Sequence, residues 1–253
     1  MQSLWMLVAA FAFSVMGVCV KLASELFTTG EIVFYRCLIG VILIAWLMRR
    51  SGESVRTPHL VSHIKRSLFG LTALMMMFYS LSHLPLATAL TLNYLSPIWI
   101  ALILSAGAVF ANQRGPDIDR RLLFAILLSF VGVICLLQPS VNASQFAAGI
   151  IGLASGFFTA LAYVEVRALG RLGESENRIV FYFSSLGLLL GIVWMGMTGV
   201  SEYTWKGVAL LLATGITATI GQTTLTRAYK RGNTLLTANL QYAGIVFGWG
   251  GAY

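Results

Sequence analysis

Glu31-Ile32-Val33-Phe34-Tyr35-Arg36 and Arg178-Ile179-Val180-Phe181-Tyr182-Phe183 share the core IVFY, 147 positions apart. The match extends on both sides. Lys21 corresponds to Arg167, Glu31 to Arg178, and Thr88-Ala89-Leu90-Thr91-Leu92-Asn93-Tyr94 to Leu236-Thr237-Ala238-Asn239-Leu240-Gln241-Tyr242. In both copies of the last stretch an amide precedes the tyrosine. Four shared apolar letters could be coincidence. A shift that stays between 146 and 148 positions across three regions points to an internal duplication.

The composition says which solvent the duplicated unit lives in. The chain is 58% hydrophobic and 10% charged, with a mean hydropathy of +0.82. A soluble domain carries about 25% charged residues, so this chain lacks the charge to cover a water-facing surface. Nine apolar segments approach the roughly 20 residues that a membrane helix needs: 3–22, 32–48, 68–82, 86–111, 122–137, 147–166, 179–198, 207–226 and 235–252. The first is read as a retained helix and not a leader, because no basic region precedes it and no small-residue cleavage site follows it.

The net charge of +8 is spread over the gaps between these segments. Nucleic-acid binding needs basic residues gathered on one face, and this pattern excludes it. The distribution instead gives an orientation. With the N-terminus in the cytoplasm, the inner loops carry Arg49, Arg50, Arg56, Lys65 and Arg66; Arg114, Arg120 and Arg121; Arg167, Arg171 and Arg178; and Arg227, Lys230 and Arg231. Outside lie only Lys21 and Lys206, and Arg36 falls within the second span. Five spans separate one copy of IVFY from the next, so the second copy enters the membrane from the opposite side. The acidic Glu31 then sits outside and its basic counterpart Arg178 inside. The expected fold is an all-α polytopic membrane protein, an inverted repeat of five-helix units. The first repeat covers 1–138, an outer linker 139–146, and the second repeat 147–253. Inverted repeats are how many secondary transporters build two similar gates around a site near the bilayer midplane.

Three stretches carry a family resemblance: LVAAFAFSVMGVCVKLASELFTTGEIVFYRCLIG from Leu7, LSHLPLATALTLNYLSPIWIAL from Leu81, and TRAYKRGNTLLTANLQYAGIVF from Thr226. Together they resemble the drug/metabolite transporter superfamily in its EamA-type, five-plus-five-helix branch, over nearly the whole chain. The resemblance implies a central cavity lined mainly by helices one, three, four, six, eight and nine. Some similar proteins take up S-adenosylmethionine, while others export amino acids or other metabolites. The family pattern has ten helices and this sequence stops in the ninth, at Tyr253. That leaves the tenth span missing and raises two further expectations: a homodimer that replaces the helix, or a truncated, non-transporting relative.

Ionisable or amide side chains within a span are costly in lipid and so are candidates for function. Asn93, Tyr94, Asn239, Gln241 and Tyr242 fall at corresponding places in spans four and nine. They would orient a polar metabolite or hydrogen-bond neighbouring helices. Tyr79 and Gln222 are companions in spans three and eight. Arg36 reads as a contact for an anionic substrate group, an outer-gate partner of Glu31, or a side chain that snorkels to the headgroups. Glu165 would take a cationic substrate or a proton, or pair with an arginine at the inner rim. His59 and His63 have the spacing of a metal pair on a helix, but no cysteine or acid cluster joins them. Cys19, Cys37 and Cys135 sit in apolar runs as small buried residues. Gly152/Gly156 and Gly187/Gly191 would let helices approach closely. No GxSxG, Walker A, HExxH or paired-carboxylate arrangement occurs, so an intramembrane lipid-modifying enzyme would lack its nucleophile or metal. The expected function is a permease for a small polar or amphipathic metabolite. It would sit among the lipids of a bacterial inner membrane and need no cofactor.

Overall fold

The structure is a computed structural model that describes residues 2–110 and 145–244, together with positions 124, 127, 128, 130, 131 and 135. Among these residues there are helices and turns and no strand. A short 3-10 turn, Gln2–Leu4, leads into α1 (Trp5–Ala23). Then come α2 (Thr29–Arg50), α3 (Leu60–His83), α4 (Leu86–Asn93) and α5 (Ser96–Phe110). The second half contains α6 (Phe146–Arg171), α7 (Glu176–Thr198), α8 (Trp205–Arg231) and α9 (Thr234–Leu240). Five stretches are long and apolar enough to cross a membrane: Gln2–Ala23, Thr29–Arg50, Phe146–Arg171, Glu176–Thr198 and Trp205–Arg231. Another helix, α3, has spanning length at 24 residues, but His63, Lys65 and Arg66 dilute its hydropathy.

The spacing of 147 positions recurs in how the helices start and stop. Thr28 and Ser175, 147 positions apart, cap α2 and α7: each side chain accepts the N–H of the third helical residue, Glu31 or Arg178. In α2 the Glu31 carboxylate also accepts the Thr28 N–H at 2.9 Å, closing a capping box. Gly52 and Gly199, again 147 apart, follow the ends of these helices with φ of +66° and +82°. A side chain rarely adopts that conformation, and glycine adopts it freely.

The packing repeats the relation. The most extensive helix pairings are α1 with α8, α3 with α6, and α2 with α7. A shift by the repeat length exchanges the first two pairings and maps the third onto itself. At the α2–α7 contact, a Cβ on Gly40 would meet Ser184, and one on Gly187 would meet Cys37. These are the same contact seen from either side, since Ser184 and Gly187 lie 147 positions beyond Cys37 and Gly40. Small residues at such a crossing let the backbones approach and gain dispersion contacts.

Polar clamps close both ends of the bundle. The Glu31 carboxylate accepts the Ser201 N–H at 2.9 Å and the Ser201 hydroxyl at 2.6 Å, which ties the α7–α8 loop to the α1–α2 turn. At the opposite ends of α2 and α7, Glu53 accepts the Ser175 hydroxyl at 2.6 Å and the Asn177 amide at 3.0 Å. Glu174 accepts from Arg178 Nη1 at 2.7 Å and from the Thr57 hydroxyl. Burial would raise the Glu174 pKa, but the hydrogen bonds from Thr57, Arg178 and His63 outweigh it and hold the carboxyl below the usual range.

Three expected segments differ in detail. The fourth is not one helix: it breaks at Tyr94–Leu95 into α4 and α5. A matching turn at Gln241–Tyr242 follows α9. Hydropathy is blind to such breaks, because the residues on both sides are equally apolar. The third segment begins eight residues earlier than hydropathy indicates, at Leu60. The fifth segment, most of the 139–146 linker and the ninth segment beyond Gly244 lie outside the described residues, apart from the isolated positions named above.

Candidate functional site

A cavity of about 590 Å³ runs through the middle of the bundle. That volume lies within the range of small-molecule sites, about 300–1,000 Å³. The α1 wall runs from Met6 through Phe13, Ser14 and Met16 to Lys21 and Ser24, and the last two are exposed. Thr29, Ile32 and Arg36 of α2 continue it, followed by Arg66, Gly70, Leu74, Met77 and Phe78 of α3. Leu90, Asn93 and Tyr94 contribute from α4 and its break, and Thr159 and Tyr163 from α6. Phe183 of α7, Gln222 of α8, and Gln241 and Gly244 at the second break complete the lining.

Close backbone approach shapes this wall. A Cβ on Gly156 of α6 would lie 2.9 Å from the Leu92 carbonyl oxygen, so glycine lets α6 pass against the α4 break. Asn93 Nδ2 sits at long hydrogen-bonding distance from Ser155 Oγ and Thr159 Oγ1, 3.4 and 3.5 Å. Ser14 Oγ lies 2.9 Å from the carbonyl oxygens of both Ala10 and Gly244, which joins α1 to the second break. The buried Gln241 Oε1 has no partner among the described residues. Non-helical backbone at membrane depth is tolerated where it is buried in protein or lines a cavity, and both breaks meet that condition.

Two guanidinium groups dominate the electrostatics. Arg36 and Arg66 are 4% and 2% exposed. Both approach the Phe183 ring, with Cζ at 5.8 and 4.3 Å from its centroid. Arg66 Nη2 donates to Gln222 Oε1 at 3.2 Å. Nε and Nη1 of both arginines have no hydrogen-bond partner among the described residues, and no salt bridge reaches either group. An exposed cation–π contact gives about 0.5–1 kcal/mol and a desolvated one about 2. Burying an ion costs several kcal/mol even after relaxation. The ring therefore does not offset the burial of either charge. Among the described lining residues the charged groups are Lys21, Arg36 and Arg66, and none is a carboxylate.

Of the residues singled out in the sequence, Arg36, Asn93, Tyr94, Gln222 and Gln241 line the cavity. Asn239, Tyr242, Tyr79 and Glu165 are not among its lining residues. Tyr242 is buried, with its ring 5.9 Å from that of Tyr94. Tyr79 is 43% exposed and stacks on His83. Glu165 is half-buried, and none of the salt bridges among the described residues includes it. Arg36 neither pairs with Glu31, which the Ser201 clamp occupies, nor snorkels out of the bundle. Near the first turn of α3, His63 Nε2 lies 3.2 Å from Glu174 Oε2, and no cluster that could hold a metal occurs among the described residues.

Sequence reasoning missed Arg66 by counting it as a loop cation. The resemblance implied a lining mainly from helices one, three, four, six, eight and nine; Thr29, Ile32 and Arg36 of α2 and Phe183 of α7 reach the cavity as well.

The match to known proteins covers this same framework. Residues 1–138 match the EamA-like transporter family. The chain belongs to that family. The pseudopaline exporter CntI of Pseudomonas aeruginosa is 35% identical over 96% of this chain and 84% of its own length. An uncharacterised transporter of Helicobacter pylori is 26% identical over 96% of this chain and 82% of its own. The riboflavin transporter of Vibrio cholerae is 22% identical over 98% and 85%. One solved crystal structure superimposes with a TM-score of 0.81 at 20% identity, over 98% of this chain and 87% of its own, a likeness of fold. The three curated relatives are named as transporters. With the apolar helices, they make this chain a multi-pass integral membrane protein of the transporter class.

Proposed function

We propose that this EamA-family chain is a secondary transporter that carries a small polar or amphipathic metabolite across a bacterial inner membrane by alternating access. Its two repeats, 1–138 and 147–253, are inverted relative to each other and rock about the central cavity. The N-terminus is cytoplasmic, and large exposed side chains such as Ile42, Trp46, Leu189 and Met197 face lipid. The observation that carries this reading is the position of the cavity. It lies between the pairings α1–α8 and α3–α6, which the repeat shift exchanges, and both helix breaks border it. Two similar half-structures around one site can close on either side of it by the same movement. Asn93, Tyr94, Gln222 and Gln241 orient the solute.

The test compares solute distributions between medium and cytosol by untargeted mass spectrometry. Cells carrying the wild-type chain are set against cells carrying the double variant Asn93→Leu/Gln241→Leu at equal membrane abundance. At least one metabolite is expected to shift with the wild type and to return to the vector level with the double variant. If a solute shifts equally with both, the amides are not its site. If nothing moves with the wild type, the transporter reading fails.

A further inference from the structure

The structure assigns the cavity to an organic anion: we propose that Arg36 and Arg66 together receive a carboxylate-bearing metabolite. This deepens the transport reading above and rests on the same cavity. Both guanidinium groups are more than nine-tenths buried, on different helices, and approach one aromatic ring. Each keeps two donor nitrogens without a partner among the described residues. An arginine stays charged in a protein and cannot relieve burial by losing its proton. Two cations held near one ring also repel each other. A bound anion answers both costs, because carboxylates pair with guanidinium groups through short, charge-assisted hydrogen bonds.

Three further features fit such an occupant. Gly70 of α3 leaves the space that the Arg66 guanidinium fills, so the group is held beside the cavity by shape. Exposed Lys21 at the end of α1 extends the positive potential along the wall. Like-signed charge in a low-dielectric cleft raises the local concentration of an oppositely charged solute. The lining is mixed: it includes the amides of Asn93 and Gln241 and the apolar side chains of Met77 and Phe78. The assigned class is therefore an anion with one or more carboxylates on a body that is partly apolar. A cationic or neutral solute would leave both guanidinium charges without a counter-charge.

The test reads the arginines directly. Purified full-length protein in detergent is treated with the arginine-directed reagent phenylglyoxal, and modification at each arginine is followed by peptide mass spectrometry. Acetate, succinate and citrate are each compared with their neutral methyl esters at matched concentration and ionic strength. At least one acid is expected to slow modification of both Arg36 and Arg66 several-fold relative to its ester. The exposed Arg50 serves as the internal reference and stays unchanged. Arg36→Gln is expected to abolish the protection of Arg66, and Arg36→Lys to retain part of it. If no acid protects either arginine beyond its ester, or if both react no faster in folded protein than a fully buried group, the assignment is overturned. Protection without solute movement in cells would leave the anion site standing and remove the transport reading. Solute movement without protection would do the reverse.

Discussion

Replacing Gly191 by alanine tests the α2–α7 pairing where an added Cβ would come closest to backbone. A Cβ at this position would lie 2.7 Å from Phe34 Cα and 2.9 Å from Phe34 N. Both atoms are backbone, so no rotamer change relieves the clash. Ordinary carbon contacts lie at about 3.5–4.0 Å, and the two helices must move apart by roughly 1 Å. Overpacking of this kind costs about 1–3 kcal/mol. Alanine returns about 1 kcal/mol in helix propensity, which leaves a net loss of about 0–2. Gly196 is the control in the same helix: nothing lies within 4 Å of a Cβ there. Gly196→Ala should be neutral or stabilising by at most about 1 kcal/mol. A difference of about 2 kcal/mol corresponds to roughly 4–8 °C in Tm for a chain of this size. The assay is thermal unfolding in detergent, followed by tryptophan fluorescence for both variants in parallel. Equal Tm values for Gly191→Ala and Gly196→Ala would refute the backbone contact and with it the pairing of the second helices.

Glu31→Ala removes the capping-box acceptor and the Ser201 clamp together, and should cost about 2–3 kcal/mol from lost charged hydrogen bonds. A drop in Tm of several degrees, larger than that of Ser201→Ala, is the expected readout. Ser175→Ala removes the α7 cap and its bond to Glu53, for a loss of about 0.5–2 kcal/mol in the same assay. The Glu174 carboxyl is held below its ordinary value. Its stabilising effect is therefore complete above the usual glutamate range, about 4.3, and is lost as the pH falls through the lowered folded value. Tm should fall on acidification below that range, and less steeply in Glu174→Gln; parallel curves would contradict it. Gly156→Val forces branched methyls against the Leu92 carbonyl at the α4 break. It is expected to lower Tm and to abolish solute movement, whereas a variant with wild-type Tm and wild-type transport would show that the break tolerates displacement.

Part of the framework was legible because the same letters recur at a near-constant spacing. IVFY put α2 and α7 in correspondence, and the caps Thr28 and Ser175 and the terminal glycines Gly52 and Gly199, which only the structure brought out, keep the same spacing. The helix breaks were not legible. Leu92, Tyr94, Leu95 and Ile98 are apolar or aromatic on both sides of the turn, so the hydropathy of the segment does not change there. The site was read in part, for reasons of helical phase. Asn239 and Gln241 are two positions apart and point in different directions, and only the second reaches the cavity. Arg66 escaped because charge counting assigns every arginine outside an apolar run to a loop. The polar residues Lys65 and Arg66 end the apolar run, yet the helix continues back to Leu60 and carries Arg66 into the bundle.

The central claim is that the two halves of the chain stand in opposite senses in the membrane. Thiol accessibility measures it most directly. Cys19, Cys37 and Cys135 are replaced by alanine, and single cysteines are placed at Glu25 and Leu172, two exposed positions 147 apart. Spheroplasts are then treated with a membrane-impermeant maleimide before and after permeabilisation. The account predicts that Glu25→Cys labels in intact spheroplasts and that Leu172→Cys labels only once the membrane is opened. Labelling of both cysteines from the same side would contradict it.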